Sequence, residues 1–122
     1  MRLIAELEIL GLPKMTNTIG HKHWRARHAE ARKWKSLVVE ACLLKRIQGL
    51  KLNQAQITFT RYSSKEPDFD GLTSGFKHCL DGLKVAEVII DDKPSVIGSP
   101  KYLWVQAPQR QGKIKIKVEA YD

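Results

Sequence analysis

The chain has 122 residues, of which 43% are hydrophobic and 28% charged, with a net charge of +8. That is length for one compact domain and a balance that excludes intrinsic disorder. Two cysteines exclude a disulfide scaffold, no C-x-x-C pair suggests zinc, and no apolar run approaches the ~20 residues of a membrane span.

The N-terminus, Met1-Arg2-Leu3-Ile4-Ala5-Glu6, places charge where a secretory signal needs its apolar stretch, so a soluble, intracellular protein is expected. Residues 3–9 alternate, with Leu3, Ala5, Leu7 and Ile9 on one face and Ile4, Glu6 and Glu8 on the other, which predicts a half-buried strand. Gly11-Leu12-Pro13 ends it, and residues 12–22 read as a polar loop with Asn17, Gly20 and His21. A helix is expected over roughly 24–48, carried by Ala31, Trp34, Leu37, Val38, Ala41 and Leu44, with Gly49 as its C-cap. Trp34 falls on the buried stripe, whereas Trp24 at the helix start could stack on an unpaired base.

Strand two is expected at 54–62, where Ala55, Ile57 and Phe59 alternate with polar residues. A second helix over about 70–84 would bury Leu72, Phe76, Cys79, Leu80 and Leu83, which places both cysteines in core positions. Val88-Ile89-Ile90 is a short apolar run, and residues 95–106 and 113–121 read as a hairpin joined through Pro108 and Gly112. The order β-α-β-α-β-β predicts a single α+β domain over residues 1–122, two helices packed on a mixed sheet.

The charge is uneven. Residues 12–51 hold ten basic side chains (Lys14, Lys22, Arg25, Arg27, Arg32, Lys33, Lys35, Lys45, Arg46, Lys51) against Glu30 and Glu40, which equals the whole excess of +8. Such a stretch predicts a polyanion-binding surface. Residues 66–92 run the other way, with seven acids against Lys77 and Lys84. Acids inside a polyanion-binding protein are accounted for either by metal ions that reverse the local charge or by an ordinary solvated face.

Asp68 and Asp70 are two residues apart at an extended entry to a helix, so both carboxylates can face one point. Hard divalent cations such as Mg²⁺ take carboxylate oxygens of this kind, and an Asp at a helix start is equally a common cap. A third acid would come from Asp91-Asp92, which as neighbours in extended chain should point to opposite sides. On the second helix Asp70, Lys77 and Asp81 share a face, Lys77 lying about 10 Å beyond Asp70 along the axis. That lysine could approach a metal-held phosphate, or simply pair with Asp81.

Three runs, Pro67-Asp68-Phe69-Asp70-Gly71-Leu72, Lys77-His78-Cys79-Leu80-Asp81-Gly82-Leu83 and Val88-Ile89-Ile90-Asp91-Asp92, resemble the signature of the RusA family of Holliday-junction resolvases. The N-terminal part is similar too, with a first strand, Leu12-Pro13, Asn17 and a basic helix opened by His23-Trp24-Arg25. The resemblance implies a small homodimeric, Mg²⁺-dependent endonuclease that nicks four-way DNA junctions in a bacterial cytoplasm, with phage or prophage origin. Carried over by position, the catalytic and metal-binding acids are Asp68, Asp70 and Asp92, with Lys77 as a catalytic cation. Two departures stand out: the family's Asn after the second Asp is Gly71, and the lysine position four residues after that Asp is Ser74.

On this reading the acids hold Mg²⁺ and Lys77 adds positive charge in the transition state. Lys22, Arg25, Arg27, Arg32 and Lys33, with Lys35 beside them, bind DNA arms through phosphates. A two-fold homodimer supplies the two sites that paired nicks require. Pro67-Asp68 with Asp91-x-Lys93 also fits the P-D…(D/E)-x-K pattern of restriction-type nucleases, although a helical stripe separates its halves. The rival from another class is a non-catalytic basic nucleic-acid-binding module, whose acids are caps and ion-pair partners.

Overall fold

The computed structural model describes residues 1–15 and 24–121, so Lys22 and the neighbouring Asn17, His21 and His23 lie outside the described residues. In chain order the elements are β1 (Arg2–Leu10), α1 (Trp24–Leu44), β2 (Ala55–Ser63), α2 (Phe69–Gly75), α3 (Lys77–Val85), α4 (Pro94–Ile97), β3 (Lys101–Gln106) and β4 (Lys113–Ala120). The sheet runs β1-β4-β2-β3, antiparallel at its first two pairings and parallel between β2 and β3. One small α+β domain with a mixed sheet results, as the residue pattern implies.

Alternation sets which sheet face is covered. Ile114, Ile116 and Val118 on β4 and Ala55, Ile57 and Phe59 on β2 are fully buried, while the intervening lysines and threonines line the other face. Beneath the covered face lie Trp34, Val38 and Cys42 of α1 with Cys79 and Leu83 of α3. A Cβ at Gly82 would stand 2.8 Å from Val38 Cβ and 3.2 Å from the Lys35 carbonyl, so glycine is what lets α3 press against α1. Both cysteines belong to this core, and burial pushes their thiols up to about 11 for Cys42 and about 12 for Cys79, out of reach as nucleophiles near neutral pH.

Four local expectations need correction. Leu3 is 58% exposed rather than buried, because a bulge between Leu3 and Ala5 reverses the side-chain alternation of β1. The first helix stops at Leu44, not near 48. Arg46 takes the left-handed conformation (φ 57°), and its amide and that of Ile47 bond back to Leu43 and Cys42. This is a Schellman ending, fixed by burial of Ile47, with arginine where glycine is usual. Glu87 (φ 57°) ends α3 in the same manner, its neighbour Val88 bonding to Leu83.

The second helix is two helices, broken at Phe76 (φ −97°, ψ 1°). Gly71 and Gly75 weaken α2, and Phe76 turns inward to stack on Phe59 with ring centroids 4.9 Å apart. The break removes the shared helical face on which Asp70, Lys77 and Asp81 were aligned. Finally, β3 and β4 form no hairpin, and residues 95–97 belong to α4. Ala107 bonds to the Ser63 carbonyl as the chain leaves β3, and residues 107–112 carry it past the end of β2 into the slot beside β1. Two-residue hairpin turns are far shorter than this connection.

Candidate functional site

The segment Leu12–Met15 is a strap held by two buried charges. Arg61 Nη1 donates to the Pro13 carbonyl at 2.9 Å, and the Lys14 amide donates to Glu30 Oε1 at 2.8 Å. The same Glu30 oxygen accepts Trp34 Nε1 at 2.9 Å, so the strap, α1 and the core indole share one acceptor. Glu30 and Arg61 are each 9% exposed, a degree of burial a charge tolerates only when hydrogen-bonded. Burial pulls the Arg61 pKa down, yet a guanidinium keeps its charge in proteins.

The strap contributes a wall to each of two clefts. One, about 420 Å³, is lined by Leu12, Met15 and Arg61 and by residues 63–68, with Asp68 at its edge. The other, about 510 Å³, lies between α1 and α3 and takes Lys14 from the strap.

At the first cleft Asp68 is the N-cap of α2. Its Oδ1 accepts the Gly71 amide at 2.7 Å, and its backbone is extended (φ −71°, ψ 167°). Asp70 sits in the first turn, exposed, with no side-chain hydrogen bond or ion pair among the described residues. A Cβ at position 71 would lie 2.6 Å from both Asp68 Oδ1 and Met15 Sδ. Glycine at this position therefore leaves room for the close approach of the strap to α2.

Asp91 and Asp92 have other partners. Lys84 Nζ lies 3.1 Å from Asp91 Oδ1 and 3.8 Å from Asp92 Oδ1, so both carboxylates reach one ammonium instead of pointing to opposite sides. The reason is that residues 91–92 are not in a strand; the Asp91 carboxylate folds back to accept the Asp92 amide at 2.8 Å. That amide, followed by Lys84, holds the Asp91 pKa down to about 2. Val88 and Ile89 are buried as anchors, and Lys93 is extended before Pro94, as expected from the sequence.

A divalent cation is the cofactor these acids bring to mind. Asp68 retains one oxygen beyond its cap and Asp70 retains both, and Mg²⁺ is commonly held by one or two carboxylates with water and substrate phosphate. Among the described residues no group of three or more His, Cys, Asp or Glu side chains could hold a metal ion, so Asp68, Asp70 and Asp92 do not come together within one chain. Asp68 and Asp70 thus keep carboxylate oxygens that a cation could use, whereas the full trio is not assembled within one chain.

No family model matches the chain, and no curated protein matches it. The likeness to junction resolvases rests on the motif residues alone.

The cleft between α1 and α3 gathers cations. Arg27 and Lys35 from α1, Lys77 from α3 and Lys14 from the strap line it, with His28, Ser74 and His78. Ser74 thus opens onto the same space as Lys77. Of its two acids, Glu30 is spent on the strap and Asp81 stands 3.8 Å from His78 Nδ1. Burial lowers the His78 pKa against the raising effect of Asp81, and its Nδ1 has no hydrogen-bond partner. Arg25, Arg32 and Lys33 are exposed outside this cleft, the Arg25 guanidinium standing 5.4 Å over the Trp24 ring and Lys33 5.8 Å from the Trp34 ring. Sequence reasoning passed over Glu30 and Arg61. One signal was present: Glu30 is the lone acid among the cations of the first half of α1, four residues before Trp34 and on its face.

No helix among the described residues is long and apolar enough to cross a membrane.

Proposed function

We propose that the chain is a structure-selective endonuclease acting on branched DNA, Mg²⁺-dependent, with Asp68 and Asp70 as its metal-holding acids. The observation that carries this reading is the exposed carboxylate pair at the start of α2, in a fold whose strap lines both the cleft at Asp68 and a second cleft lined with cations. When bound, Mg²⁺ supplies positive charge to the scissile phosphate and makes water a better nucleophile. The chain's own residues do the rest: Gly71 N–H orients Asp68, Arg61 and Glu30 set the strap, and Arg27 and Lys77 attract the phosphate backbone. Arg25, Arg32 and Lys33 extend the positive surface along α1 for further DNA contact.

Paired nicks call for a two-fold homodimer. Since Asp68, Asp70 and Asp92 do not come together within one chain, a three-acid site in that dimer would draw on both copies, with Asp92 from the other one. Mixing the inactive variants Asp70→Asn and Asp92→Asn should then restore cleavage through hybrid dimers; no restoration would remove the shared site. The function itself is tested by incubating the protein with a synthetic four-way junction. Nicking in Mg²⁺ and none in EDTA is the expected result, and binding without nicking under any divalent cation would favour the non-catalytic module.

A further inference from the structure

The cationic cleft carries an inference about where the nucleic acid lies, which rests on the nuclease reading. The basic residues of α1 divide into two sets. Arg25, Arg32 and Lys33 are exposed on the outer surface, whereas Arg27 and Lys35 are half-buried and turn toward α3. Half-burial of a cation is unfavourable unless something anionic answers it. Neither Arg27, Lys35 nor Lys77 has an acidic partner within ion-pair distance among the described residues, even though two acids line the same cleft. Glu30 faces the strap and Trp34 with its hydrogen-bonded oxygen, and Asp81 faces His78. The fold therefore places cations together and leaves them without a counter-ion of its own.

We propose that this cleft between α1 and α3 is a phosphate seat, in which Arg27, Lys35 and Lys77 grip a phosphodiester of the DNA strand that passes over the strap to Asp68 and Asp70. Its size of about 510 Å³ accommodates a phosphate with its flanking sugars. The cations come from two helices held at fixed spacing by Gly82, so the seat is rigid before DNA arrives and loses little entropy on binding. Lys14 extends it along the strap. His78 lines the cleft with its Nδ1 buried beside Asp81, and an anion arriving in the seat favours the protonated ring. On this assignment Lys77 is a phosphate-binding residue that positions the strand.

The test compares two double variants that remove the same charge. Lys35→Gln/Lys77→Gln empties the seat; Lys113→Gln/Lys115→Gln removes two lysines that β4 pairs with glutamates on the open sheet face. Binding of a fluorescent four-way junction is followed by anisotropy in EDTA, where no cleavage occurs. The seat variant should bind roughly tenfold or more weakly, and its slope of log affinity against log salt should fall by about 1.8. The sheet variant should stay within about twofold of wild type, and Lys35→Arg/Lys77→Arg should restore binding. Equal losses in the two glutamine variants would overturn the seat while leaving the nuclease reading intact. A second arm titrates the protein with inorganic pyrophosphate and follows the His78 ring by NMR. A shift there with no junction binding by wild type would keep the seat and overturn the nuclease reading; no shift would count against the seat.

Discussion

On the open face of the sheet β4 presents Lys113, Lys115 and Lys117 at alternate positions, and each ammonium meets a glutamate: Glu8 at 2.6 Å, Glu6 at 3.5 Å and Glu119 at 3.8 Å. Lys113 and Lys115 also stand over the Tyr62 ring, at 5.1 and 5.5 Å. The cleft between α1 and α3 holds a similar number of cations, and its two acids, Glu30 and Asp81, pair with the Lys14 and Trp34 N–H groups and with His78 instead. Both regions contribute to one net charge, yet only the second projects an unanswered field. Net charge therefore locates a polyanion surface poorly; what matters is whether the fold has already supplied the counter-ion.

That contrast can be broken at its supports. The largest effect is expected from Glu30→Ala, which leaves the buried Trp34 N–H and the Lys14 amide without their acceptor and frees the strap between the clefts. Lost hydrogen bonds to a charged group are worth about 1.5–3 kcal/mol each, so losing both should lower the urea unfolding free energy by about 3–6 kcal/mol. A loss under 1 kcal/mol would mean that the strap is not held this way.

A smaller effect is expected on the sheet. Lys113→Ala removes a pair open to solvent, and exposed pairs contribute about 1 kcal/mol or less. Its unfolding midpoint should move little and its junction affinity should match wild type. A marked loss of affinity would show that the β4 lysines, not the cleft, meet DNA.

The smallest expected effect sharpens the picture at Asp91, an acid the fold has answered. Its folded pKa lies below the ordinary 3.8, so the ionised form stabilises the fold above that value, and the contribution disappears as pH falls through about 2. Lys84→Ala should raise the Asp91 titration seen by carboxyl ¹³C NMR, but not fully to 3.8, because the Asp92 amide is the larger cause. A return to the ordinary value would make the lysine the main cause.

What could be read from the residues follows how local each signal is. The period-2 pattern of Ala55, Ile57 and Phe59 and the stripe of Leu72, Phe76, Cys79 and Leu83 mark the core correctly, since burial acts through local periodicity. The break at Phe76 was hidden because that stripe survives it; stacking on Phe59, seventeen residues away in sequence, sets the turn. The β3–β4 pairing failed for a related reason. Two adjacent alternating segments look like a hairpin, and nothing local reveals that β4 lies between β1 and β2. Asp68 and Asp70 were legible as a motif and as a cap together. The cleft was not, since it depends on how α1 and α3 meet across Gly82.

On the proposed function, Asp68 and Asp70 make this basic fold a nuclease. Asp70→Asn tests it most directly, because Asp70 is exposed, has no partner among the described residues and can be replaced without disturbing the cap or the core. Junction binding in EDTA and nicking rate in Mg²⁺ should be measured on one preparation whose folding circular dichroism confirms. Nicking should be abolished while binding is unchanged or tighter, since an amide is a poor Mg²⁺ ligand and removal of the carboxylate relieves repulsion of phosphate. Nicking at the wild-type rate, or equal loss of binding and nicking in the folded variant, would contradict it.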